Sequence, residues 1–202
     1  TVAITSPAAG SFVTSANQTV FAVSGTCSKN TRDVVLSGDA TKTVACYSGT
    51  WSTTVDFSGA ADGTVTLHAD HADAAGNVAT RSTRTFTKDT VVPSTATITI
   101  AGGSHTNDST PDLSLSSTGA AEMYVTNVAG CGSGGAWESY ATSKAWTLGQ
   151  TNGTATVYVK FRDSAGNETG CSNAAIIHDD VAPTLAFTTP GSPLNAGNAA
   201  AF

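Results

Sequence analysis

The chain has 202 residues, of which 12% are charged, and a formal net charge of −6; an average soluble domain carries about 25% charged residues. An acidic balance without clustered Lys and Arg argues against a nucleic-acid partner, because holding phosphates requires such clusters. No apolar run approaches the roughly 20 residues of a membrane span, so none is expected in this segment.

In chain order, short Thr- and Val-rich runs are separated by Gly, Asn, Asp and Ser breaks. They fall at 2–5, 12–14, 19–26, 33–37, 42–46, 51–57, 63–71 and 79–87, and each reads as a β-strand. Within 63–71, Val65, Leu67 and Ala69 alternate with polar residues, the period of two that buries one strand face. "HADAAGNVA" at 71–79 then reads as the turn of a hairpin. Gly76 supplies a positive φ there, and Asp73 and Asn77 cap the turn. The second half repeats this arrangement. Ala155, Val157, Val159 and Phe161 alternate with Thr156, Tyr158 and Lys160, and "RDSAGNETG" at 162–170 forms the turn. No stretch sustains a helical period.

The likeness between the halves is a duplication. "DGTVTLHADHADAAGNVATRSTRTFTKDTVVP" at 62–93 aligns without a gap to "NGTATVYVKFRDSAGNETGCSNAAIIHDDVAP" at 152–183. Asp73 falls on Asp163, Asn77 on Asn167, Asp89 on Asp179 and Pro93 on Pro183. The tail "LAFTTPGSPLNAGNAAAF" at 185–202 parallels "VAITSPAAGSFVTSANQTVF" at 2–21. We therefore expect a unit at 1–91, a second at 92–182, and the start of a third at 183–202. The chain begins with Thr and is expected to be a segment or processed product of something longer. About seven short strands per unit is the pattern of an antiparallel β-sandwich, so the fold class is all-β, tandem Ig-like sandwiches.

Four cysteines divide evenly, two per unit. No C-x-x-C spacing suggests zinc. The division points to Cys27–Cys46 and Cys131–Cys171 disulfides and an oxidising, extracellular setting; buried free thiols are the alternative. The second bridge would tie the 128–136 loop to the final hairpin. His68, His71, His105 and His178 show no metal-ligand spacing and are expected on exposed strands or loops. Trp51 and Trp146 are expected in the two cores.

Strands ending in D-x-A-G-N and followed by a D-x-x-x-P linker resemble the bacterial Ig-like (Big-type) repeats of large surface adhesins and fibre proteins. The resemblance spans both full units and the tail. It implies a structural or adhesive segment at a bacterial cell surface, with neighbouring repeats of the same chain as its first partners. The antibody-type order Cys…Trp…Cys is not kept, because Trp51 follows both cysteines of its unit. In an Ig-like sandwich the final turn lies at the end where the first strand begins. Asp163 and Asn167 should therefore approach Asp89 of the unit before, with Asp62 nearby. Family members resembling this chain stiffen such junctions with calcium, whose hard cation takes several oxygens at once. The competing reading is that these acids cap turns and begin a polar linker.

The Gly-rich loop "AGCGSGGAWESY" at 129–140 offers Trp137 and Tyr140 as flat faces that could stack on the sugars of a host or prey glycan, or meet a surface protein. Alternatively, Trp137 covers the core. No G-x-S-x-G elbow or other catalytic constellation is present, so no enzyme is expected.

Overall fold

The structure is a computed structural model and describes residues 1–187. Most of the tail parallel, residues 188–202, lies outside the described residues. The first unit contains β1 (Val2–Ser6), β2 (Phe12–Val13), β3 (Phe21–Cys27), β4 (Asp33–Gly38), β5 (Lys42–Ala45), β6 (Thr50–Val55), β7 (Gly63–His71) and β8 (Ser82–Lys88). The second contains β9 (Ser94–Ile100), β10 (His105–Thr106), β11 (Asp112–Thr118), β12 (Glu122–Thr126), β13 (Trp137–Ser139), β14 (Ser143–Ala145), β15 (Gly153–Arg162) and β16 (Ser172–His178). A short 3-10 turn, Ala129–Cys131, follows β12.

The two units share one topology. A three-stranded sheet, β1-β3-β6, faces a five-stranded sheet, β2-β8-β7-β4-β5. In the second unit β9-β11-β14 faces β10-β16-β15-β12-β13 in the matching order. The short strands β2 and β10 run parallel to β8 and β16; every other strand pairing among the described residues is antiparallel. The chain is therefore two all-β Ig-like sandwiches in tandem.

Alternation builds each core. Val65, Leu67 and Ala69 of β7, and Ala155, Val157, Val159 and Phe161 of β15, are all at most 2% exposed. In the first unit Phe21, Phe57 and Phe86 meet edge to face, with ring centroids 4.9 to 6.2 Å apart, a geometry that favours aromatic quadrupoles. Trp51 lies across the sheet from Gly25. A Cβ at Gly25 would stand 1.8 Å from the Ala3 carbonyl oxygen and 2.6 Å from the Trp51 ring. Only glycine lets that indole close the core. The second core is more aliphatic: Leu113, Leu115, Met123, Val125 and Ile176 surround β15.

The structure pairs Cys27 with Cys46 and Cys131 with Cys171. The first bridge joins the end of β3 to the residue after β5 and so links the two sheets. The second ties the 3-10 turn to the start of β16.

Three expectations fail here. His71 is 4% exposed and His178 is 1% exposed. Both continue the inward parity of their strands, two residues beyond Ala69 and Ile176. His71 is satisfied: its Nδ1 lies 3.0 Å from the Asp33 carbonyl and its Nε2 accepts from the Lys29 amide at 3.2 Å. Neither nitrogen of His178 has a partner among the described residues. Trp146 is not a counterpart of Trp51. It sits half-buried at the edge of the second core, just past edge strand β14, and donates from Nε1 to Asn127 Oδ1 at 2.8 Å.

Candidate functional site: the junction between the units

Each D-x-x-G-N segment folds by the same local bonds. Asp73 N donates to the Asn77 carbonyl at 3.1 Å and Asp163 N to the Asn167 carbonyl at 3.2 Å. Asn77 donates from its backbone N and its Nδ2 to the two Asp73 carboxylate oxygens, both at 3.0 Å. Asn167 does the same to Asp163, at 2.9 and 3.0 Å. Gly76 and Gly166 take φ of +87° and +90°, where a Cβ would clash with the chain's own backbone. The Asn77 bonds, side chain first, hold the Asp73 carboxyl below its ordinary range. The motif is a self-capping turn.

What differs is what lies against it. The second turn abuts the first unit. Asn167 Nδ2 also donates to the backbone carbonyl of Asp89, at 3.0 Å. Ser15, in the loop after β2, donates from Oγ to Asn167 Oδ1 at 3.4 Å. Asp163 and Asn167 are 8% and 4% exposed, whereas Asn77 is exposed. Asn167 thus uses its amide as donor and acceptor at once, binding its own turn and the neighbouring unit's outgoing chain.

Of the other expected cation ligands, Asp62 accepts from the Thr90 amide and hydroxyl at 3.0 to 3.1 Å. Asp89 Oδ1 accepts from the Val91 amide at 3.2 Å. The Asp89 group that Asn167 bonds is its main-chain carbonyl. Among the described residues no group of three or more His, Cys, Asp and Glu is placed to share a metal ion. Asp180 repeats the Asp62–Thr90 arrangement by donating from its amide to Asn152 Oδ1 at 3.0 Å.

Trp137 and Tyr140 are not brought together. They stand three residues apart, so strand parity turns them to opposite faces. Tyr140 points inward, packs edge to face on Phe161 at 5.7 Å, and accepts from the Ser117 amide at 3.1 Å. Trp137 lies half-buried on the outer face beside Tyr124, with ring centroids 5.6 Å apart. The Arg162 guanidinium stands 4.2 Å above the Trp137 ring, and Lys160 lies 5.2 Å from Trp137 and 5.3 Å from Tyr124. Arg162 also pairs with Glu122 at 2.6 Å, which holds the Glu122 carboxyl below its ordinary range. Sequence reasoning missed Tyr124, Lys160 and Arg162. Their outward parity on β12 and β15 was the available signal.

Solved structures resemble this arrangement. The fibronectin(III)-like modules of Clostridium thermocellum CbhA are 14% identical with a TM-score of 0.50, covering 94% of this chain and all of theirs. A calcium-stabilised adhesin of an Antarctic bacterium, described as helping it reach out and bind ice, is 22% identical with a TM-score of 0.53. That match covers 89% of this chain and 48% of the adhesin, so the chain spans about half that protein's length. At these identities the likeness is one of fold. No protein-family model matches the chain, and no curated protein does. Among the described residues no helix is long and apolar enough to cross a membrane.

Proposed function

We propose that this chain is a spacer from a secreted or cell-surface bacterial protein, built of Big-type Ig-like repeats at 1–91 and 92–182 with a third beginning at 183. It carries no catalysis. Its work is to hold whatever lies beyond it at a set distance and direction. The carrying observation is the Asn167 side chain, bonded at once to its own turn, to the Asp89 carbonyl and to Ser15. That contact uses buried polar groups whose partners come from both units, so bending the junction would strand them. Pro93 restricts the linker further.

Pulsed spin-label distances between the units test this. The wild type should give one narrow distribution and Asn167→Ala a broad one. Equal breadth in both would overturn the reading. The calcium clamp expected from Asp62, Asp89, Asp163 and Asn167 is tested by titrating calcium into chelator-treated protein. Binding heat with a raised melting temperature would place a cation at the junction. A hydrogen-bonded junction needs none.

The outer-face cluster favours a second reading, in which the second unit binds a glycan or surface protein. Trp137, Tyr124, Lys160 and Arg162 form an aromatic and cationic patch on β12, β13 and β15. Glycan-array binding that Trp137→Ala abolishes would support it. Unaltered or absent binding would leave the patch as a cross-strand ladder.

A further inference from the structure

The residue that ties down the outgoing chain differs in chemistry between the two units. In the first, Asp62 accepts from the amide and the hydroxyl of Thr90 at 3.0 to 3.1 Å. In the second, Asn152 stands in that place and accepts from the Asp180 amide through Oδ1 at 3.0 Å. Asn152 is exposed in the loop between β14 and β15, in left-handed backbone with φ of +55°. Its Nδ2 has no partner among the described residues. The next residue is Gly153, and nowhere else in the sequence does an asparagine precede a glycine.

An asparagine loses its side-chain nitrogen as ammonia when the following backbone nitrogen reaches its Cγ. Glycine allows that approach most freely, because no Cβ stands in the way. Asn77, Asn127 and Asn167 are protected twice. Each is followed by Val or Glu, and each Nδ2 is held, by Asp73, Thr147 and Asp163 respectively. At Asn152 the leaving nitrogen is unheld, and the Asp180 amide draws electron density from the carbonyl under attack. With the second unit in place Asp62 is exposed, and the same geometry leaves position 152 open when a further unit follows.

We propose that Asn152 is a modification site, a centre of spontaneous deamidation whose conversion loosens the chain leaving the second unit. Solvent base takes the Gly153 amide proton. The nitrogen bonds to Asn152 Cγ, the Cγ–Nδ2 bond breaks, and ammonia departs with a proton from water. Water then opens the cyclic imide at either carbonyl and leaves an aspartyl or an isoaspartyl linkage. The aspartyl product carries the charge that Asp62 has from the start. Its neighbour is the Asp180 carboxylate where Asp62 has the Thr90 hydroxyl, and two acids repel. The isoaspartyl product adds an atom to the main chain where β15 begins, so Gly153 loses its register with His178.

The full chain, held at mildly alkaline pH and mapped by peptide mass spectrometry, tests the site. The internal control is Asn107, which is exposed and followed by Asp108. Conversion at Asn152 should outpace it about tenfold, and Gly153→Ala should slow Asn152 by about the same factor. That variant should fold, because a Cβ at Gly153 meets only the flexible Gln150 side chain, at 3.3 Å or more. Equal rates at 152 and 107, or no slowing in Gly153→Ala, would overturn the proposal. Asn152→Asp supplies the aspartyl product directly. Exchange of the backbone amide at position 180, read by NMR, should then quicken severalfold. Asp180→Thr added to it should slow exchange again by rebuilding the Asp62–Thr90 pair. Exchange that stays as in the wild type would overturn the loosening. Neither result bears on the spacer reading, which stands or falls on the junction at Asn167.

Discussion

The two D-x-x-G-N turns are nearly superimposable in their bonds and opposite in their surroundings. Asp, Gly and Asn at the same spacing give the same caps in both units, because the bonds are local and each carboxylate is satisfied within five residues. Yet Asn167 is buried and shared with another unit, while Asn77 faces outward. The motif encodes a stiff turn. Its position in the string decides whether that turn becomes a joint.

The largest perturbation lies just beyond the second turn. Cys171 stands four residues after Asn167, and replacing Cys131 and Cys171 by Ser frees a 40-residue separation against 19 for Cys27 and Cys46. Loop entropy sets the losses at about 4 and about 3 kcal/mol respectively. Scanning calorimetry should show each pair lowering its own unit's transition and leaving the other nearly in place. A joint shift of both would mean the units do not melt separately.

Next come the asparagines. Asn167→Ala removes the bonds to Asp163, Asp89 and Ser15 within a buried contact and should cost about 1–3 kcal/mol. Asn77→Ala, in water, should cost under about 1 kcal/mol. Urea melts of the two variants measure the difference, and equal losses would erase the distinction between joint and bare turn. Gly76→Ala and Gly166→Ala sharpen the same contrast. Beyond the adjoining residues a Cβ meets nothing within 4 Å at either position, so each should lose the same roughly 1–2 kcal/mol from the local left-handed backbone alone. A larger loss at Gly166 would show that the joint resists backbone change as well.

These outcomes bear on what the residues disclosed. Strand alternation and the duplicated turn were legible, because period two and a Gly-Asn turn are local signals. Even the approach of Asn167 to Asp89 followed from topology. The atoms did not: the sequence suggested carboxylates around a cation, whereas Asn167 meets a backbone carbonyl, a group every residue carries and no pattern marks. The separation of Trp137 from Tyr140 was written in an odd spacing. The burial of His71 and His178 was written in the parity of Val65 and Ile176 on their own strands. In both cases residue type outweighed parity.

The smallest expected effect is acid sensitivity. The folded-state carboxyl of Asp73 is depressed by its Asn77 bonds and that of Glu122 by Arg162. A depressed acid contributes stability that is complete above its unfolded value near 4 and is lost as pH falls through the folded one. Melting temperatures should therefore be flat from pH 7 to about 5 and decline below about 4. Asp73→Asn should blunt that decline in the first unit.

The parallel seating of β2 beside β8, and of β10 beside β16, has a mechanical consequence. Force applied at the two ends of a unit pulls such neighbours in opposite directions along their own length. Their hydrogen bonds are then sheared together rather than unzipped one by one, so the unit yields abruptly and late. A string of these units under tension would hold its length until a whole bead gives way.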